Sequence, residues 1–241
     1  QSVVVEECIR NQVMEEFNRQ GGYFMTPEET EQVGRKLFNR GHAMNAKMVG
    51  RSAADIAAGA GISIPPGTKV LLGEQQGVGE QYPLSYEKLT TVLAFYTVKD
   101  WHEACDLCMK LLYNGGVGHS LSIHTENPEM AIKFAEKPVF RILVNTASTH
   151  GGVGVSTGLA PAFTLGCGTW GGSATSDNVT PMHLINIKRV AYGIKDVTEN
   201  GNSPYATGDA QQGGSGGTVS EDRIQALVNE VMSLLKQRGD C

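Results

Sequence analysis

Apolar residues follow two rhythms along the first 145 positions. Residues 2–5 are a β-branched apolar run and predict a strand. Cys8, Ile9, Val13 and Phe17 then recur at helical spacing, predicting a helix over residues 6–20 that Gly21-Gly22 stops. Thr26-Pro27-Glu28-Glu29 is a helix start: Thr26 can cap, Pro27 suits the first turn and Glu29 holds the capping-box position. That helix should reach about Phe38, and a further short helix lies around residues 52–60. Pro65-Pro66-Gly67 makes a turn, residues 69–73 a short buried strand, residues 74–83 a polar loop and residues 91–96 another strand. From Asp100, the residues Trp101, Ala104, Cys105, Cys108, Leu111 and Leu112 form one helical stripe, closed by Gly115-Gly116. Residues 119–124 read as a strand, Asn127-Pro128 opens a helix to about Glu136, and residues 140–145 are a strand. Strands alternating with helices through short connections predict an α/β layered domain with a parallel sheet.

The texture changes after Asn145. Residues 146–181 are loop-like and dense in Gly, Ser and Thr. Within them, FTLGCGTWGGSATSDNVTP places Cys167 and Trp170 among Gly166, Gly168, Gly171 and Gly172, which points to a loop shaped around something. Residues 184–194 alternate with period two and predict a strand. Residues 198–218 have the composition of a flexible linker. Residues 219–239 predict a separate amphipathic helix, with Ser220 as cap, acids in its first turn and bases in its last. Its apolar stripe is Ile224, Leu227, Val228, Val231, Leu234 and Leu235.

Composition narrows the function classes. The chain has 241 residues, 40% hydrophobic and 19% charged, which suits a globular protein with a substantial core. A net charge of −5 argues against nucleic-acid binding as the main role. No apolar run approaches the roughly 20 residues of a membrane-spanning helix. The cysteine count is odd, at five, and the spacing irregular, which suggests reduced thiols in a cytoplasmic setting. Cys105 and Cys108 form a CxxC pair, but both lie on an apolar helical stripe and read as core rather than metal ligands. His119, His124 and His150 show no metal-ligand spacing, and His150 in STHGGVG is the one best placed to face a pocket. Glu87 precedes an apolar strand, where a carboxylate can accept two hydrogen bonds from a ribose diol or simply be solvated.

Four segments, PLSYEKLTTVLAFY, GHSLSIHT, FRILVNTAST and LGCGTWGGSATSDNVTPMHLINIKRVAYG, together resemble the aldehyde dehydrogenase superfamily. The last resembles its CoA-acylating branch, acting on aldehydes such as acetaldehyde or propionaldehyde. The resemblance implies the fold: residues 1–181 as most of the catalytic domain, residues 182–197 as an oligomerisation strand. It also implies the chemistry. A cysteine thiolate attacks a short-chain aldehyde, hydride passes to NAD, and coenzyme A takes the acyl group from an enzyme thioester. Glu87 matches the glutamate that holds the nicotinamide ribose, and Leu89 matches the residue that packs by the nicotinamide. Thr90-Thr91 departs from the small-residue-then-proline pattern of the family. Asn145 matches the asparagine that ends the strand before the active-site loop. Gly166 to Asn178 matches the loop at the mouth of the substrate tunnel, with Gly166, Cys167, Gly168 and Thr169 as its candidate site residues and Cys167 part of that signature, not the nucleophile.

The nucleophilic cysteine implied by the resemblance falls just N-terminal to Gln1, as does the NAD-binding domain. The sequence is therefore expected to be the C-terminal portion of such an enzyme, inactive alone. The linker and helix over residues 198–239 resemble the encapsulation peptides of enzymes packed inside bacterial microcompartments. They would dock on a shell protein through the apolar stripe. Residues 184–194 would join copies into a dimer or tetramer. Two rival readings stand beside this one. One is a non-catalytic dimerising module tethered to a shell, and the other makes Cys167 a nucleophile in its own right.

Overall fold

The structure, a computed structural model, describes residues 1–39, 41–163 and 166–194. Gln1–Asn186 forms one compact unit, and Ile187–Cys241 is a second, of which only residues 187–194 are described.

The first unit begins with strand β1 (Ser2–Glu6), a 3-10 turn (Glu7–Ile9) and helix α1 (Arg10–Arg19). Strand β2 (Gly22–Phe24) follows, then helix α2 (Pro27–Leu37), helix α3 (Ala53–Ala60) and strand β3 (Val70–Glu74). Strand β4 (Val92–Val98) leads into helix α4 (Trp101–Gly115). The four strands pair in the order β1-β4-β3-β2, all parallel. The expected capping box is present: the Glu29 N–H donates to the Thr26 hydroxyl at 3.2 Å, and the Thr26 N–H donates to the Glu29 carboxylate at 2.9 Å.

Strand periodicity divides the core between two faces. Leu71, Val92, Ala94 and Tyr96 face Val33 and Leu37 of α2 and Ile56 of α3, with Leu107 and Leu111 of α4 on the same side. Leu72 and Phe95 face the other way, against Val13, Met14 and Phe17 of α1. There Phe95 meets Phe24 and Phe17 edge to face, with ring centroids 5.1 Å and 6.4 Å away.

Strand β5 (Leu121–Ile123), helix α5 (Pro128–Ala135), strand β6 (Ile142–Val144) and the short helix α6 (Ser148–Gly152) complete the unit. The expected parallel α/β architecture is present, divided between two sheets. β5 and β6 pair in parallel with each other in their own two-stranded sheet, apart from the four-stranded one. Strand type was readable from periodicity, but sheet membership depends on which edge each strand reaches.

Further differences have local causes. Gly21-Gly22 stops α1, but Gly22 also begins β2, a strand that earns its place only by pairing with β3. On α4 the predicted stripe is the packed face, with Cys105 buried and Leu111 on the core, and Leu107, outside that stripe, widens it. Residues 184–194 do not form a strand. Leu184 closes a 3-10 helix (Pro181–Leu184), and residues 185–194 have no strand partner among the described residues. Leu184, Val190, Tyr192 and Ile194 are each more than 80% exposed or close to it. Period-two alternation marks a segment able to join a sheet, but a strand exists only beside another. The linker at 198–218 and the helix at 219–239 lie outside the described residues.

Phe95→Ala should destabilise the protein by about 3–5 kcal/mol, because it empties the aromatic contact under α1. Urea unfolding followed by circular dichroism measures it, and a loss below about 1 kcal/mol would contradict this packing.

Candidate functional site

The segment that enters β4 carries the first two candidates. After a 3-10 turn (Pro83–Ser85) the chain is extended, and its side chains alternate outward and inward. Glu87 and Leu89 are exposed, Leu89 by 50%, while Lys88 between them is only 2% exposed. Glu87 makes no ion pair among the described residues, so its carboxylate is free to accept from a ligand.

The backbone here is held on several sides. The Lys88 N–H donates to Gln1 Oε1 at 2.6 Å, and the Leu89 N–H donates to Met44 Sδ at 3.1 Å. The Leu89 carbonyl accepts from the Gly50 N–H at 2.8 Å. Thr90 and Thr91 both donate their hydroxyls to the Arg51 carbonyl, at 3.1 and 3.2 Å. These hydroxyl contacts tie down the two positions that depart from the resemblance described above. Inside, the Lys88 ammonium donates to the carbonyls of Leu84 and Tyr86, the latter at 2.9 Å. Burial pushes the Lys88 amine down to about 8.

Gln1 stands beside this segment. Its carbonyl accepts from the Ala94 N–H at 3.1 Å, and its side chain reaches Lys88. Because β1 and β4 are parallel, their starting ends lie side by side, so the entrance to β1 is next to Glu87.

The remaining candidates gather around β5 and β6. Asn145 has left-handed backbone, with φ of +55°. Its side chain clamps the far end of β5: the Thr125 N–H donates to Oδ1 and Nδ2 donates to the Thr125 carbonyl, both at 2.9 Å. That is an architectural role, and it suits Asn, the residue type that tolerates this conformation best after glycine. His150 lies exposed on α6, and the cavity described below does not include it.

The glycine-dense loop folds back on itself. The Cys167 thiol donates to the Gly171 carbonyl at 3.0 Å and lies 3.7 Å from the Ser173 hydroxyl. No base is within hydrogen-bonding reach of it among the described residues. Gly166 and Thr169 are exposed, and the Thr169 N–H donates to the Ser176 hydroxyl at 3.1 Å. Gly168 is buried with φ of +63°, and a side chain there would collide with Phe140. The loop rests against Gly118, where any side chain would strike the Cys167 carbonyl. At the other end of this short connection, the Asn114 side chain donates to the carbonyl and hydroxyl of Ser85. Residues 114–118 therefore reach both the turn before Glu87 and the Cys167 loop.

Two buried residues that sequence reasoning gave no separate role brace these segments, one in each. Asn178 is buried: it donates to the carbonyls of Gly152 at 3.0 Å and Ala160 at 2.6 Å, and accepts from the Arg141 guanidinium. Lys88 is the other. Neither had a local signal, because one Asn in a polar loop and one Lys between strands look solvated until burial is known.

A cavity of about 890 Å³ lies elsewhere, at the carboxyl ends of β3 and β4, lined by Gln75, Tyr82, Tyr96, Lys110 and Tyr113 among others. None of the sequence-predicted site residues lines it. Cys105 is buried, and burial pushes the Cys108 thiol up to about 11, which agrees with packing rather than reactivity. Among the described residues no helix is long and apolar enough to cross a membrane.

No family model matches the chain. It is 42% identical over 197 residues to the bifunctional aldehyde-alcohol dehydrogenase of Escherichia coli, which covers 79% of this chain and 22% of that protein. It is 34% identical over 198 residues to a succinate-semialdehyde dehydrogenase (acetylating) of Clostridium kluyveri, covering 81% of this chain and 44% of that one. Among solved structures, an acetylating aldehyde dehydrogenase from Geobacillus thermoglucosidasius matches with a TM-score of 0.76 and 44% identity, over 81% of this chain and 43% of that one. A propionaldehyde dehydrogenase from a Clostridium phytofermentans fucose utilisation bacterial microcompartment, at 22% identity and a TM-score of 0.63 over 73% of this chain and 39% of that one, shares the fold. The chain spans less than half the length of these relatives.

Asn178→Ala should destabilise the unit by about 2–4 kcal/mol, since it strands two buried carbonyls and a guanidinium. Amide exchange should quicken over residues 152–162 more than in the four-stranded sheet, and a uniform change across both would contradict the local role.

Proposed function

We propose, for a chain homologous to the acylating aldehyde dehydrogenases, that the whole protein converts a short-chain aldehyde, NAD and coenzyme A to acyl-CoA and NADH. The observation that supports this most is the placing of Glu87 and Leu89. Both point outward from one extended segment, beside the entrance to β1 where the resemblance expects the nucleophile to arrive. In this reading the nicotinamide cofactor supplies the hydride acceptor.

The chain's own residues bind and orient. The Glu87 carboxylate accepts two hydrogen bonds from a ribose diol, and the Leu89 side chain gives the nicotinamide an apolar surface. The folded loop containing Gly166, Cys167, Gly168 and Thr169 forms the rim of the aldehyde channel. Cys167 belongs to that rim: its thiol proton is engaged by the Gly171 carbonyl, and no activating base reaches it among the described residues. The nucleophilic cysteine of this reading belongs to polypeptide N-terminal to Gln1.

The assay is NADH absorbance with the whole protein, coenzyme A, and acetaldehyde or propionaldehyde, with NADP in a parallel arm. Coenzyme-A-dependent NADH formation is expected, and its absence with every aldehyde tried would overturn the reading. The polypeptide Gln1–Cys241 alone should give no turnover, and robust turnover by it would overturn the placing of the nucleophile.

Residues 184–194 and 219–239 carry a second part of the proposal. The exposed apolar side chains of the first suit pairing with a second copy as an added strand. The apolar stripe of the second suits docking in a groove of a microcompartment shell protein, which would place the enzyme inside that compartment. Deleting residues 219–241 should abolish co-assembly with shell protein and leave the number of subunits in the oligomer, read by light scattering, unchanged. Continued encapsulation would sink the role given to the tail.

A further inference from the structure

Lys88 is the most deeply buried charged side chain in the described core, and the chemistry above does not use it. It makes no ion pair among the described residues, so its partners are two backbone carbonyls, those of Leu84 and Tyr86. An ammonium buried without a carboxylate is costly, and an apolar side chain would fill the same space with less loss. The depressed amine, at about 8, registers that cost. Stabilisation of the fold therefore does not account for a lysine at this position.

Its two partners flank Glu87's approach. Leu84 lies within the 3-10 turn, and Tyr86 immediately precedes Glu87. The Tyr86 ring is itself held from outside, stacked on His42 with centroids 4.7 Å apart and planes 14° from parallel. His42 in turn contacts Glu80 at 3.2 Å. Asn114 of α4 donates to the Ser85 carbonyl at 3.3 Å and to its hydroxyl at 3.1 Å. Every residue from 84 to 86 is therefore gripped, and the inner grip is the Lys88 side chain.

We propose that Lys88 is a positioning residue for cofactor binding: by bridging the Leu84 and Tyr86 carbonyls from within, its ammonium sets the backbone direction that aims the Glu87 carboxylate outward. This rests on the reading of Glu87 as the ribose ligand. Extended alternation supplies the lever, because an inward pull on residue 88 turns residues 87 and 89 out together.

The test is a double-variant cycle in the whole protein, reading KM for NAD, KM for coenzyme A and NADH affinity by fluorescence. Glu87→Gln should weaken NAD binding by about tenfold or more, the worth of a charged hydrogen bond. Lys88→Met should do the same to NAD while leaving KM for coenzyme A unchanged. The double variant should be no worse than Glu87→Gln alone, because Lys88 acts through Glu87. Multiplying losses, or normal NAD binding in Lys88→Met, would overturn the proposal with the Glu87 reading intact. An unaffected Glu87→Gln would overturn that reading, and the proposal with it. If Lys88→Met does not fold, Lys88→Arg carries the same cycle: a loss of NAD binding that disappears in the Glu87→Gln background supports the proposal, and a multiplying loss or none overturns it.

Discussion

Strand β4 is hydrogen-bonded to β1 on one side and β3 on the other, and the remaining architecture follows from that double parallel pairing. Parallel neighbours begin at the same edge of a sheet. The start of β1 and the segment entering β4 are consequently adjacent, although more than 80 residues separate them in sequence. The same pairing splits β4 into an inner face against α2 and α3 and an outer face against α1. With both faces packed, the strand cannot slip by one residue without exchanging its two hydrophobic sets. That register begins at Val92, and the segment before it is held by its own contacts to Gln1, Met44 and Arg51.

The region around β5 and β6 is built by different means. It has few buried large side chains and relies on polar groups that satisfy backbone: Asn145 on Thr125, Asn178 on Gly152 and Ala160, Thr169 on Ser176. Glycines let the chain pass close to itself, as at Gly168 under Phe140 and Gly118 under Cys167. Such a region can shape a rim without a large core, since directional hydrogen bonds replace area burial. Its link to the four-stranded sheet is the end of α4, where Asn114 donates to Ser85 in the turn before Glu87.

Much of the fold was legible in the residues. The capping box at Thr26, the helix starts at Asp100 and Asn127 and the strand read over residues 91–96 are local signals, and each appears where it was read. The site was legible in part. Glu87 and Leu89 were named by resemblance alone, and the structure shows both to be exposed. Asn145, matched for its place at the end of a strand, turns out to clamp Thr125, and His150 stands exposed. The apolar alternation of residues 184–194 was visible, but no strand forms in a chain with no neighbour to pair it.

By itself the sequence determined element types, caps, and the division of each strand into two faces, because these depend on residues within a few positions of one another. Tertiary structure alone decided which strands share a sheet, that Gly22 opens one, and that Lys88 and Asn178 are interior. Each of those outcomes depends on partners far away along the chain, and no local pattern records the distance between residues that only folding brings together.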